Sequence, residues 1–73
     1  SRYRTPLFMA VLYADDDMVN MLLSAGANPN GLSGTSATRL VAPLHVAATK
    51  GLVEITKILL RSGADVNIAS HLP

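Results

Sequence analysis

Residues 42–67 read APLHVAATKGLVEITKILLRSGADVN, and the same skeleton appears once more, 37 residues earlier, as TPLFMAVLYADDDMVNMLLSAGANPN over residues 5–30. The two segments align without a gap and share 8 identities in 26 positions. Pro6, Leu7 and Ala10 meet Pro43, Leu44 and Ala47; Leu22, Leu23, Gly26, Ala27 and Asn30 meet Leu59, Leu60, Gly63, Ala64 and Asn67. The pairs Asp17/Glu54, Met18/Ile55, Met21/Ile58 and Asn28/Asp65 are chemically alike. Identity concentrates on the residues that start and stop helices, which marks an internal repeat rather than a shared composition.

Each copy predicts two short helices. Proline is favoured at the first helical position, where its missing N–H is no loss, so Pro6 and Pro43 mark helix starts. Thr5 is a good N-cap for the first of these and Ala42 a poor one for the second. The first helix of each copy carries small apolar residues (Leu7, Ala10, Val11; Leu44, Ala47, Ala48), which suit close helix packing. Gly51 offers a left-handed stop, and Gly26 and Gly63 do the same for the second helices. In copy 2 the chain restarts near Val53 with Glu54 in the first turn, and Ile55, Ile58 and Leu59 form an i, i+3, i+4 apolar stripe. Between the copies, NGLSGTSATRLV over residues 30–41 reads as a turn and loop.

The rest of the composition narrows the class. A chain of 73 residues makes at most one small domain with a modest core. It has no cysteine, so neither disulfides nor thiolate metal sites can supplement that core. Hydrophobic content of 49% against 4% aromatic means the core is built from aliphatics. A net charge of +1 gives no overall pull towards nucleic acid or membrane. No apolar run approaches a membrane span, and no charged-then-apolar leader is legible at the start.

On these residues the chain resembles the ankyrin repeat family, whose unit of about 33 residues is a β-turn followed by two antiparallel helices. Copy 2 is close to the family pattern TPLHxAAxxGxxExxxxLLxxGADVN, and copy 1 is more degenerate but stays in register. The resemblance implies an all-α solenoid of helix-turn-helix units joined by β-turn fingers. It divides the chain into an incoming finger at 1–4, a repeat at 5–30, an extended finger at 31–41, a repeat at 42–67 and the start of a further finger at 68–73. The period of 37 puts four extra residues in the middle finger, which is expected to be longer and more mobile. Ala14 replaces the family's glycine between the helices, so that turn is either strained or readjusted. Two repeats bury little, and the chain is expected to be a piece of a longer array or to have an open end covered by a neighbour.

The residues offer no catalytic, cofactor or metal site. Asp15, Asp16 and Asp17 stand at a helix start, where acids serve as caps and dipole partners rather than as metal ligands. His45 falls at the family's structural histidine, and neither it nor His71 has an acid spaced to orient it for catalysis. GLSGTS lacks the lysine of a phosphate loop. What the resemblance implies is protein binding through finger tips and the exposed positions of the inner helices. These are Arg2 and Arg4, Arg39 and Val41 in the fingers, and Leu12, Tyr13, Thr49 and Lys50 on the helices. The charges among them are positive, whereas four acids begin the outer helices, so the expected partner is an acidic or mixed peptide surface. A structural spacer within a larger protein is the alternative. The resemblance further implies an intracellular setting, cytoplasmic or nuclear. Asn67, in Leu59-x5-Asp-Val-Asn, resembles the pattern read by the asparaginyl hydroxylase of ankyrin repeats. Ser33, Thr35, Ser36 and Thr38 are expected to be exposed hydroxyls in the loop.

Each copy keeps half of the family's Thr–His pair: Thr5 stands with Phe8, and Ala42 with His45. The sequence therefore predicts that Phe8→His together with Ala42→Thr stabilises the chain.

Overall fold

A computed structural model describes residues 4–34 and 40–67. Within them lie four helices: α1 (Pro6–Leu12), α2 (Asp16–Ser24), α3 (Pro43–Thr49) and α4 (Val53–Arg61). Each copy is a helical hairpin, α1 against α2 and α3 against α4, and the hairpins stack with α1 on α3 and α2 on α4. The only other regular element among the described residues is an isolated antiparallel bridge between Ser33 and Val41, closed by two N–H···O bonds of 2.8 and 2.7 Å. It fixes the base of the middle finger; the finger residues 35–39, with Arg39, Thr35, Ser36 and Thr38, lie outside the described residues.

Helix ends follow the sequence signals. Prolines open α1 and α3. Asp15 caps α2 by accepting from the Met18 N–H at 3.1 Å. Gly26 and Gly63 take positive φ, and behind each the chain makes the same pair of bonds. The Ala27 and Ala64 N–H groups reach Leu22 and Leu59, while the two glycine N–H groups reach Leu23 and Leu60. These bonds satisfy carbonyls that a helix end leaves open.

Ala14 keeps the left-handed turn rather than adjusting it. Its φ of 56° matches the 72° of Gly51 at the equivalent position, and the flanking bonds repeat: Asp15 N–H to Ala10, Leu52 N–H to Ala47. The alanine is held in a conformation its Cβ disfavours by about 1–2 kcal/mol, because the turn must bring α2 back onto α1.

The core is the seam between the hairpins: Leu7, Ala10, Val11 and Val19 from copy 1 and Ala47, Ile55, Ile58 and Leu59 from copy 2. Comparing equivalent positions shows which side of each copy faces the other. Ile55 and Ile58 are 1% and 6% exposed, whereas their counterparts Met18 and Met21 are 41% and 60% exposed. Conversely, Val11 and Val19 are fully buried while their counterparts Ala48 and Thr56 are exposed and half-buried. Each copy thus has a leading face, turned towards the N-terminal end of the stack, and a trailing face. The trailing face of copy 1 covers the leading face of copy 2.

The structure revises the expectation about the broken Thr–His pairs. Thr5 caps α1 through the Phe8 N–H at 3.1 Å, and its hydroxyl also pairs with the Ser33 hydroxyl at 3.1 Å, 28 residues away. Ser33 is fully buried, not an exposed loop hydroxyl. Phe8 is buried as well, while His45 is exposed and Ala42 makes no side-chain cap. A histidine at position 8 would therefore bury a polar ring in place of an apolar one.

Two outcomes follow from this geometry. Ala14→Gly is expected to raise stability by about 1 kcal/mol, seen as a higher Tm by circular dichroism, because it releases the left-handed strain. Phe8→His is expected to lower stability by about 1–3 kcal/mol in urea titration, through loss of buried apolar surface and an unpaired ring nitrogen.

Candidate functional site

Two hollows with mostly apolar linings, of about 330 and 260 Å³, lie on the described residues and open to the surface, and the candidate site is a surface. Of the eight sequence-predicted contact residues, Arg2 and Arg39 lie outside the described residues. Arg4, Tyr13, Thr49 and Lys50 are exposed, Tyr13 at 72%, and Leu12 and Val41 are half-buried.

The structure sorts the six described residues into two groups. Tyr13 and Lys50 are the C-caps of α1 and α3, equivalent positions on helices that pack side by side, and Leu12 and Thr49 immediately precede them. Arg4 and Val41 sit at the other end of the same helices. Thr5, next to Arg4, bonds Ser33, and Ser33 bridges to Val41. About two helical turns, roughly 10 Å, separate the groups along the axis. One group is a Leu-Tyr-Thr-Lys patch and the other a finger base with a cation.

The acids lie nearer to this surface than the sequence suggests. Asp15 follows Tyr13 by two residues, and its N–H is bonded to Ala10 of α1. The C-terminal end of the inner helices is therefore mixed in charge, whereas the described charge at the finger end is that of Arg4. Glu54 engages Lys57 at 3.5 Å in an exposed i, i+3 pair, which contributes little.

Two residues that organise the surface were not recognised from the sequence as a link between copies. The Asn30 side chain reaches across the stack, donating from Nδ2 to the Gly63 carbonyl at 3.2 Å and accepting the Asp65 N–H on Oδ1 at 2.8 Å. Asn28 and Asp65 shape the two turns identically, each accepting the N–H two residues on, at 2.9 and 2.8 Å. Asn67 stands in copy 2 where Asn30 stands in copy 1, and it is exposed. The identity of 30 and 67 was the available signal. The second residue is Ser33, whose tie to Thr5 no local pattern announces. Among the described residues no cluster of His, Cys, Asp and Glu could hold a metal ion, and no helix is long and apolar enough to cross a membrane.

Stacked helical hairpins joined by turns, with the inner-helix ends and fingers on one side, define a helical repeat solenoid. A family model for ankyrin repeats (3 copies) matches residues 1–70, and the chain belongs to the ankyrin repeat family. It is 38% identical over 66 residues to the ankyrin repeat protein FPV230 of fowlpox virus, covering 90% of this chain and 34% of that protein. It is 44% identical over 64 residues to the B-cell lymphoma 3 protein homolog of Mus musculus, covering 85% of this chain and 13% of that protein. The crystal structure of the ankyrin repeat domain of Bcl-3, a member of the IkappaB protein family, superposes with a TM-score of 0.81 at 35% identity. That match covers 93% of this chain and 28% of the solved one. The chain thus spans about a third or less of the proteins it matches. Ankyrin repeats are in general protein–protein interaction modules on a fold that is generally non-catalytic.

Asn30→Ala removes both bonds between the copies while leaving the Asn28 turn intact. It is expected to destabilise the chain by about 1–3 kcal/mol in chemical denaturation, and Asn28→Ala by less.

Proposed function

We propose that this chain is a non-catalytic protein-interaction module, which grips a partner through its fingers and the exposed ends of its inner helices. The observation that supports this most directly is the exposure of Tyr13. A bulky aromatic at the end of an inner helix, flanked by Leu12, Thr49 and Lys50, has the mixed apolar and hydrogen-bonding character of a binding hot spot. The exposed cations Arg4 and Lys50, together with Arg2 and Arg39 of the sequence, favour an acidic or mixed peptide surface. The module works within a longer array, or beside a neighbouring chain, that covers the apolar ends of the stack, in an intracellular setting and without nucleic acid. Asn67 is a candidate for side-chain hydroxylation on the same reading.

A peptide array graded in Glu/Asp content and carrying an aromatic or leucine anchor tests the assignment. Acidic members are expected to bind, more weakly as salt rises, and the double variant Arg39→Glu, Lys50→Glu to lose at least about tenfold in affinity. Binding that ignores both the substitutions and the salt refutes the site. Absence of any bound peptide would favour a spacer role within a larger protein.

A further inference from the structure

The asparagine that clasps the two copies, Asn30, is followed by Gly31, and nowhere else in the chain does an asparagine precede a glycine. Asparagine is chemically labile, because the backbone nitrogen of the next residue can reach its side-chain Cγ and close a five-membered ring. Glycine offers that nitrogen with no side chain to obstruct it. The other asparagines are worse placed. Asn28 precedes Pro29, whose nitrogen carries no hydrogen. Asn20 lies inside α2, where the next N–H belongs to the helical ladder. Asn67 precedes Ile68, whose branched side chain crowds the approach.

The fold holds the reactive pair shut. Nδ2 of Asn30 donates to the Gly63 carbonyl at 3.2 Å, and Oδ1 accepts the Asp65 N–H at 2.8 Å. The attacking nitrogen is occupied too, since the Gly31 N–H donates to the Asn28 carbonyl at 3.2 Å. Ring closure undoes both ends of this arrangement. The Gly31 nitrogen must give up the proton it shares with Asn28, and the amide nitrogen bonded to Gly63 must leave. The labile residue and the clasp are one residue, so the amide is released when the turns of the two copies part.

We propose that Asn30 is a self-modification site, converted at a rate set by how often the two copies separate. In the opened clasp the Gly31 nitrogen loses its proton and bonds to Asn30 Cγ, the Cγ–Nδ2 bond breaks, and ammonia departs. Water, the one co-reactant, then opens the succinimide at either of its two carbonyls. Opening at Cγ leaves an aspartate; opening at the main-chain carbonyl leaves an isoaspartate, whose backbone is longer by one carbon. Nothing is oxidised or reduced. Either product lacks the donor that served the Gly63 carbonyl, and either brings a second carboxylate to the Asp65 turn. The clasp therefore does not re-form as it was, and separation of the copies leaves a permanent chemical record. A seam kept closed keeps its clasp.

Peptide mapping by mass spectrometry across a urea series near neutral pH tests the proposal, with helix content followed by circular dichroism. The rate of conversion at Asn30 is expected to follow the fraction of helix lost, and to be at least about tenfold lower without urea than after full unfolding. Asn20 and Asn28 are expected to stay intact over the same period. Gly31→Ala suits the turn, because its φ is not positive and the added Cβ would lie 3.5 Å from the Asn28 carbonyl oxygen, an ordinary contact. It is expected to slow conversion in urea severalfold. Ile58→Ala loosens the buried seam without touching residues 28–31, and is expected to speed conversion in the absence of urea. Converted chain, separated by ion exchange through its extra negative charge, is expected to melt at a lower temperature. A rate independent of urea, indifference to Gly31→Ala or to Ile58→Ala, or an unchanged melt of the converted chain would each overturn the proposal.

Discussion

The fold depends on one seam, where the trailing face of the first helical hairpin meets the leading face of the second. Neither hairpin can bury both of its faces alone, and short helices of seven and nine residues are marginal in water. Val11 and Val19 are fully buried where copy 2 packs on copy 1, and Ile55, Ile58 and Leu59 are buried on the side of copy 2 that copy 1 covers. The Asn30 clasp sets the register of this contact at the outer turns, and the Thr5–Ser33 hydroxyl pair with the Ser33–Val41 bridge sets it at the fingers. Apolar packing supplies most of the attraction, and these directional bonds fix how far one hairpin can slide on the other.

That division of labour places the candidate binding surface. Once α1 and α3 are in register, their C-caps Tyr13 and Lys50 stand side by side, and Arg4 and Val41 share the opposite end. The exposed side chains of Tyr13, Lys50 and Arg4 lie outside the buried seam, which leaves them free to vary with a partner. The strained turn at Ala14 belongs to the same logic. The turn must return α2 to α1, and the packing of these two helices holds Ala14 at a φ of 56°.

Much of the fold was legible in the residues because its punctuation is local. Prolines at 6 and 43, glycines at 26, 51 and 63, and the aspartate cap at 15 act within a turn or two of themselves, so the helix boundaries followed from them. The candidate contact residues followed only in outline. Position in the repeat divided them between fingers and inner helices, but it could not show how far apart the two sets stand or that Asp15 adjoins one of them. The surroundings of Thr5 and Phe8 were hidden for a related reason. The residue that completes Thr5 is Ser33, 28 residues away in an extended finger, and no pattern in the sequence pairs them.

The sequence by itself determined the repeat, its register, its helix ends and the family to which the chain belongs, since each is written in short-range spacing and in recurrence at 37 residues. Only the tertiary structure decided which face of each copy is paired and which is open, that Asn30 clasps the neighbouring turn, and that Ser33 is a buried tie rather than an exposed hydroxyl. Equivalent residues such as Met18 and Ile55 have nearly the same local signal, and what separates them is whether another hairpin lies on top.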